Sequence, residues 1–256
     1  MAEHDAVARA RGDRWVPARR VRTLQAAARF VDRHGFALLF PTERPTAPSL
    51  WEAVAGADAE PFATGMNQPE QMVWTWKDAL PEAGLAWSGK FVHKRASLLS
   101  PRLLAALYPG AGEPDDHRAD HVAHHLDPDA HRIADALVPG PVPTRALREL
   151  VGDRGRYERA IRQLQGLLLV TSAGVSEQRS GWPAVLMDLT CRRFDVGGAR
   201  DHAYATARFL DTMVEATPRD LVRAFGWPPD AARARLEDLV GAGRAIRTAG
   251  RYRPRG

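Results

Sequence analysis

The stretch from Asn67 to Ser97 constrains the fold more than any other part of the chain. Its first half predicts one short helix. Asn67 is a candidate N-cap, Pro69 occupies the first turn, where a missing N–H costs nothing, and Glu70 follows at capping-box spacing. Met72, Val73, Trp76 and Leu80 recur at helical spacing and should face a core, which turns Gln71, Trp74 and Asp78 outward together. Pro81 is expected to stop the helix. Two β-prone runs follow, joined by Ser88-Gly89, a two-residue hairpin signal, and the second arm carries Lys90, His93, Lys94 and Arg95. A helix with a polar-aromatic outer face leading into a basic hairpin is the helix-and-wing half of a winged helix.

The same design recurs. The expected fold is α+β and helix-dominated, with three tandem winged-helix units carrying short β-hairpin wings. A flexible basic arm spans 1–17 and the first unit 18–110. An acidic, His-rich linker spans 111–128, the second unit 129–198, and the third unit, with a basic C-terminal tail, 199–256. In the second unit Arg156 to Gln165 is the candidate recognition helix. Its core stripe is Tyr157, Ala160, Ile161, Leu164 and Leu168, leaving Arg159, Arg162 and Gln163 outward. Arg and Gln can make bidentate contacts to guanine and adenine edges. The wing of this unit is drawn as Leu167 to Thr171 and Ala184 to Leu189, joined by the polar loop Ser172 to Pro183. In the third unit acids lie on the outer face of the last helix (Asp230, Glu237, Asp238), which points to packing, or to phosphate contacts through tail residues such as Arg251 and Arg253.

Charge supports a polyanionic partner. The formal charge is +5 over 256 residues. It is unevenly spread, with about five net negative charges in 111–140 between flanks of about +3 and +7. Basic lobes of this kind suit phosphate; solvated surface charge is the plainer explanation. One cysteine, Cys191, excludes an internal disulfide and Cys-rich zinc sites. His117, His121 and His124 would form a stripe on a helix, readable as a metal or pH-sensing site or as a solvated linker; with no cysteine beside them, no metal and no cofactor are expected. No apolar run is long enough for a membrane span, and the polar N-terminus lacks a signal-peptide core, so a cytoplasmic protein is expected. No coiled-coil stretch suggests a dimer, and a monomer is expected.

The run Leu39-Phe-Pro41, Pro48 to Gly56, Trp74-Thr-Trp-Lys-Asp78 and Gly89-Lys90, followed by two further winged-helix patterns, resembles the AlkZ-related branch of the YcaQ/AlkZ winged-helix superfamily, from about Val21 onward. The resemblance implies tandem winged helices and duplex DNA as partner. The better-known members are DNA glycosylases that excise bulky alkylated bases and open interstrand crosslinks. Their signature, Gln, an apolar residue, then Gln or Asp, is missing from the first hundred residues. The match at Gln163-Leu164-Gln165 puts its glutamines on opposite sides of a helix.

A glycosylase needs an acid or amide to position water and often an aromatic against an extruded base. Asp78 and Gln71 are the candidate catalytic groups. Trp74, Lys77, Lys90, Lys94 and Arg95 form a candidate DNA surface beside that of Arg159, Arg162 and Gln163. In the competing account Trp74 packs under the wing and Asp78 pairs with Lys90 or Arg95. The expected function is therefore duplex DNA binding linked to repair of alkylated bases, with a non-enzymatic regulator or an interaction scaffold as alternatives.

Overall fold

The computed structural model describes residues 2–43, 45–63, 65–176 and 184–255. The order helix, strand, two helices, two strands occurs twice in it, and a third time with the first strand missing. After an N-terminal helix α1 (Ala2–Trp15) come α2 (Leu24–His34), β1 (Phe36–Leu38), α3 (Leu50–Ala55), α4 (Gln68–Glu82), β2 (Trp87–Lys90) and β3 (Ala96–Leu99). Helices α5 (Pro101–Leu107) and α6 (Asp120–Ala123) lead to the second set: α7 (Pro128–Leu137), β4 (Val142–Pro143), α8 (Thr144–Val151), α9 (Arg154–Gly166), β5 (Val170–Val175) and β6 (Val185–Leu189). A short α10 (Thr190–Arg193) precedes α11 (His202–Met213), α12 (Pro218–Phe225), α13 (Pro229–Gly241), β7 (Ala245–Thr248) and β8 (Arg251–Pro254).

The pairing repeats as well. The first sheet runs β1-β3-β2 and the second β4-β6-β5, all antiparallel, with Phe36 and Trp87 both opposite Leu99 and Val170 opposite Leu189. In the third set β7 pairs with β8, and the first strand shrinks to a single bridge between Ala216 and Tyr252. Helix starts follow the capping residues. Ser49, Asp127, Asp153 and Asp201 each accept an otherwise orphaned backbone N–H, and Thr217 with Asp220 forms a capping box.

Several sequence expectations need correction. The supposed loose arm is α1, held against α11. Trp15 is buried and its Nε1 donates to the Thr212 carbonyl at 2.7 Å, while Arg11 Nε donates to the Met213 carbonyl at 2.9 Å. Pro81 lies inside α4, which ends a residue later at Glu82 and is capped by Ala83. Ser88-Gly89 is strand, not turn. Gly89 is needed for close approach, because a Cβ there would sit 2.4 Å from the Trp87 ring. The turn falls instead at Val92–Lys94, where His93 and Lys94 take positive φ of 54° and 57° without a glycine. Buried Ser97 holds that turn: its Oγ accepts from Phe91 N and Val92 N and donates to the Gly89 carbonyl. In the second unit the strand after α9 starts at Val170, later than expected, and most of the expected polar loop, 177–183, lies outside the described residues.

The core is one large cluster running from Trp15 and Phe36 to Tyr252, with a smaller one around Phe30, Trp51, Val73 and Leu80. Phe225, at the end of α12, joins the third set to the first. Its ring meets those of Phe36, Phe209 and Phe91 at centroid distances of 6.0, 5.3 and 5.9 Å. Beta-strand edges are tied by side chains: Thr171 Oγ1 accepts from Ser88 N and donates to the Ser88 carbonyl, and Trp87 Nε1 donates to Thr190 Oγ1. No described helix is long and apolar enough to cross a membrane.

Three histidines, His34, His93 and His202, have pKa values pulled below the ordinary 6.5, in each case chiefly by burial; at His34 the carbonyls of Arg14 and Phe30 pull weakly the other way. The folded state thus favours their neutral forms. Their contribution to stability is whole above pH 6.5 and declines as pH falls below it, where the unfolded chain takes up protons first. The urea midpoint should therefore be lower at pH 5.0 than at pH 7.5 by our expectation, well above the range where the carboxylates of Asp135 and Glu215 titrate. An unchanged midpoint over that interval would contradict burial of neutral imidazoles.

Candidate nucleic-acid interface

Three parts of the chain meet at a cleft of about 780 Å³. The β2–β3 turn brings Lys90, His93 and Lys94 to it, α9 brings Arg159, Arg162 and Gln163, and α12 brings Arg223. Phe91 and Phe225, whose rings stack, supply its apolar lining. Among the described residues no acidic one lines it. Local bonds fix this arrangement. Lys90 N donates to the side chain of Gln165 at 3.0 Å, which locks the end of β2 against α9, and the Phe91–Phe225 contact seats α12 on the turn.

The cations of the cleft have no close carboxylate partners among the described residues. Among the described residues Lys90, Lys94, Arg159 and Arg223 have no carboxylate within ion-pair distance, and the guanidinium of Arg162 reaches only the Glu158 carbonyl. Several arginines elsewhere are matched. Arg156 grips Asp129, Arg192 and Arg193 grip the buried Asp188, and Arg247 pairs with Glu237. In α7, Asp135 takes Arg118 and His117 in the same way. Five like charges in one concavity, with low-dielectric aromatic walls, focus a positive potential. His93 adds none at neutral pH, because burial holds its pKa down although Asp220 lies near; Arg223 and Arg95 act in the same direction as burial.

The structure distributes the sequence candidates differently from expectation. Two surfaces drawn as separate, Lys90 with Lys94 and Arg159 with Arg162 and Gln163, are one. Gln163 is only partly free, because its Oε1 accepts from Asp127 N at 3.0 Å. Gln165 faces the other way, as its spacing requires, and is nine-tenths buried under β2. Arg223, which sequence reasoning missed, belongs with them; its position after the capped start of α12 carried no signal.

The remaining candidates lie apart from the cleft lining. Trp74 is half exposed, with the Lys77 ammonium over its ring at 4.9 Å, and Lys77 also pairs with Asp78. Asp78 does not face outward with Gln71 and Trp74. It points to β5, where its Oδ1 accepts from Ser172 Oγ at 2.8 Å, and it pairs with neither Lys90 nor Arg95. Gln71 is exposed and its amide reaches the Met66 carbonyl at 3.4 Å, so the two proposed catalytic groups serve different partners. Arg95 is exposed beside the turn. Arg251 and Arg253 both hold Glu215, at 2.6 and 2.8 Å. Burial pushes the Glu215 carboxyl up, but the two guanidiniums together hold it below the usual range. The histidine stripe is broken. His117 is buried with Nε2 on Asp135, His121 contacts the Pro109 carbonyl and His124 the Asp120 carbonyl. Among the described residues no three His, Cys, Asp or Glu side chains group as metal ligands.

Fold and site together define a helix-dominated α+β protein with small antiparallel sheets and one unneutralised cationic cleft. The chain belongs to the AlkZ-related family, whose model matches residues 21–220. Its fold is similar to that of the solved Streptomyces sahachiroi DNA glycosylase AlkZ, with 12% sequence identity and a TM-score of 0.50, over 92% of this chain and 64% of that one. This chain thus spans less than two thirds of that protein's length. None of the curated proteins matches it.

Proposed function

We propose that this protein binds DNA in a repair setting, through three tandem winged-helix units that together form the cationic cleft. The observation that carries the reading is the convergence of five cations without acidic partners, from three separate parts of the chain, in one concavity. The repeated helix, strand, helix, helix, strand, strand order, with the first strand pairing to the third, supports reading 18–110, 129–198 and 199–256 as winged-helix units. Family membership and the fold shared with a DNA glycosylase supply the link to repair.

Binding is favoured over base excision by the contents of the cleft. It offers cations, an imidazole and an amide already committed to a backbone N–H, and no carboxylate. Asp78, the acid suggested by the sequence, is engaged with Ser172 and Lys77. A direct test measures binding of intact and alkylated duplexes together with release of free base. Expected are a several-fold preference for the alkylated duplex and no effect of Asp78→Asn on either readout. Equal affinity for both duplexes would favour a regulator instead, and base release abolished by Asp78→Asn would establish an enzyme.

A further inference from the structure

The cleft does not have the shape that a groove-reading helix needs. A recognition helix must protrude, because the major groove, about 12 Å wide and 8.5 Å deep, admits one helix along its length. Here Arg159, Arg162 and Gly166 of α9 lie in a concavity that they share with the β2–β3 turn and the end of α12. Both neighbours are fixed, the turn by Gln165 and Ser97 and α12 by Phe225. A duplex could not seat its groove on this part of α9 without displacing them. The volume of about 780 Å³ lies instead in the range of roughly 300–1,000 Å³ typical of sites for compact ligands.

The lining combines two elements in one place. Lys90, Lys94, Arg159, Arg162 and Arg223 can track phosphates, and half-buried Phe91 offers a partly open ring among them. Cations following a backbone beside an aromatic on which a base can stack is the general solution for single strands. We infer that the cleft takes a short length of one unpaired DNA strand, with a base against Phe91, so that the protein prefers duplex ends or gaps bearing single-stranded DNA over fully paired DNA. This rests on the DNA-binding reading and narrows its substrate.

The experiment compares a blunt duplex, the same duplex with a single-stranded overhang, and the free single strand, at two salt concentrations, with 2-aminopurine as a fluorescent base in the overhang. The overhang duplex should bind at least tenfold more tightly than the blunt one, with quenching of 2-aminopurine. Phe91→Leu should reduce the overhang affinity about tenfold, consistent with the value of one stacked base, and remove the quenching; Phe91→Trp should retain both. If Phe91→Leu fails to fold, the quenching and the overhang preference of the unmodified protein still decide the matter. Blunt duplex binding as tightly as the overhang, without quenching, overturns the inference and leaves DNA binding intact. No binding to any of the three at low salt overturns both.

Discussion

Lys90→Ala combined with Arg159→Ala lowers DNA affinity on the order of 100-fold at low salt, since each charged hydrogen bond to a phosphate is worth about 1.5 kcal/mol or more. The salt dependence is the sharper readout. Five phosphate contacts to the single strand give a slope of about −3.5 in log affinity against log salt, so the parent should weaken roughly 130-fold between 50 and 200 mM. The double variant should show a slope near −2.1 and weaken only about 20-fold over that interval. Both residues are surface-directed cations with no carboxylate to strand, so folding should be unaffected. Arg251→Ala is the contrasting case. Its guanidinium holds Glu215 and does not line the cleft, so it should cost stability and leave the salt slope alone. A parent slope shallower than −2, or a double variant with the parent's slope, would remove the cleft as the phosphate-binding surface.

The second large effect is expected at Phe225. It is buried, and truncation to alanine leaves a cavity among Phe36, Phe209 and Phe91, which should destabilise the protein by about 3–5 kcal/mol. The urea midpoint measures this. Phe225 also orders the cleft, because the turn carrying Lys90 and Lys94 rests on it through Phe91. Under conditions where the variant remains folded, DNA affinity should fall as well. Phe209→Ala supplies the control. Phe209 belongs to the same aromatic cluster and is fully buried, yet it does not line the cleft. It should carry a similar stability cost with little change in affinity. Equal affinity losses in the two variants would mean that the cluster acts on binding only through general stability.

These expectations depend on groups brought together from residues 90, 159 and 223, and the sequence showed only part of that meeting. Local patterns were legible where a local force dominates. Capping residues marked helix starts at Ser49 and Thr217, and apolar spacing identified Val73, Trp76 and Leu80 as buried. The hairpin after α4 was anticipated, but its turn was misplaced. Glycine is the usual sign of positive φ, whereas here Gly89 serves Trp87 and the turn is held by Ser97 acting across the strands. The arm 1–17 looked loose because its charged residues hide one buried anchor, Trp15, whose partner carbonyl is about two hundred residues away in the chain.

The sequence by itself determined most of the elements and their recurring order, the capped helix starts and the supply of cations, because these follow from periodicity, backbone preferences and composition. Only the tertiary structure decided which cations remain free. Arg156, Arg251 and Arg253 find carboxylates across the fold, whereas Lys90, Arg159 and Arg223 are gathered into one cleft where, among the described residues, no carboxylate comes within ion-pair distance. The physical reason is that ion pairing and burial depend on distance in space, and side chains far apart in the chain become neighbours only through packing such as that of Phe225 on Phe91.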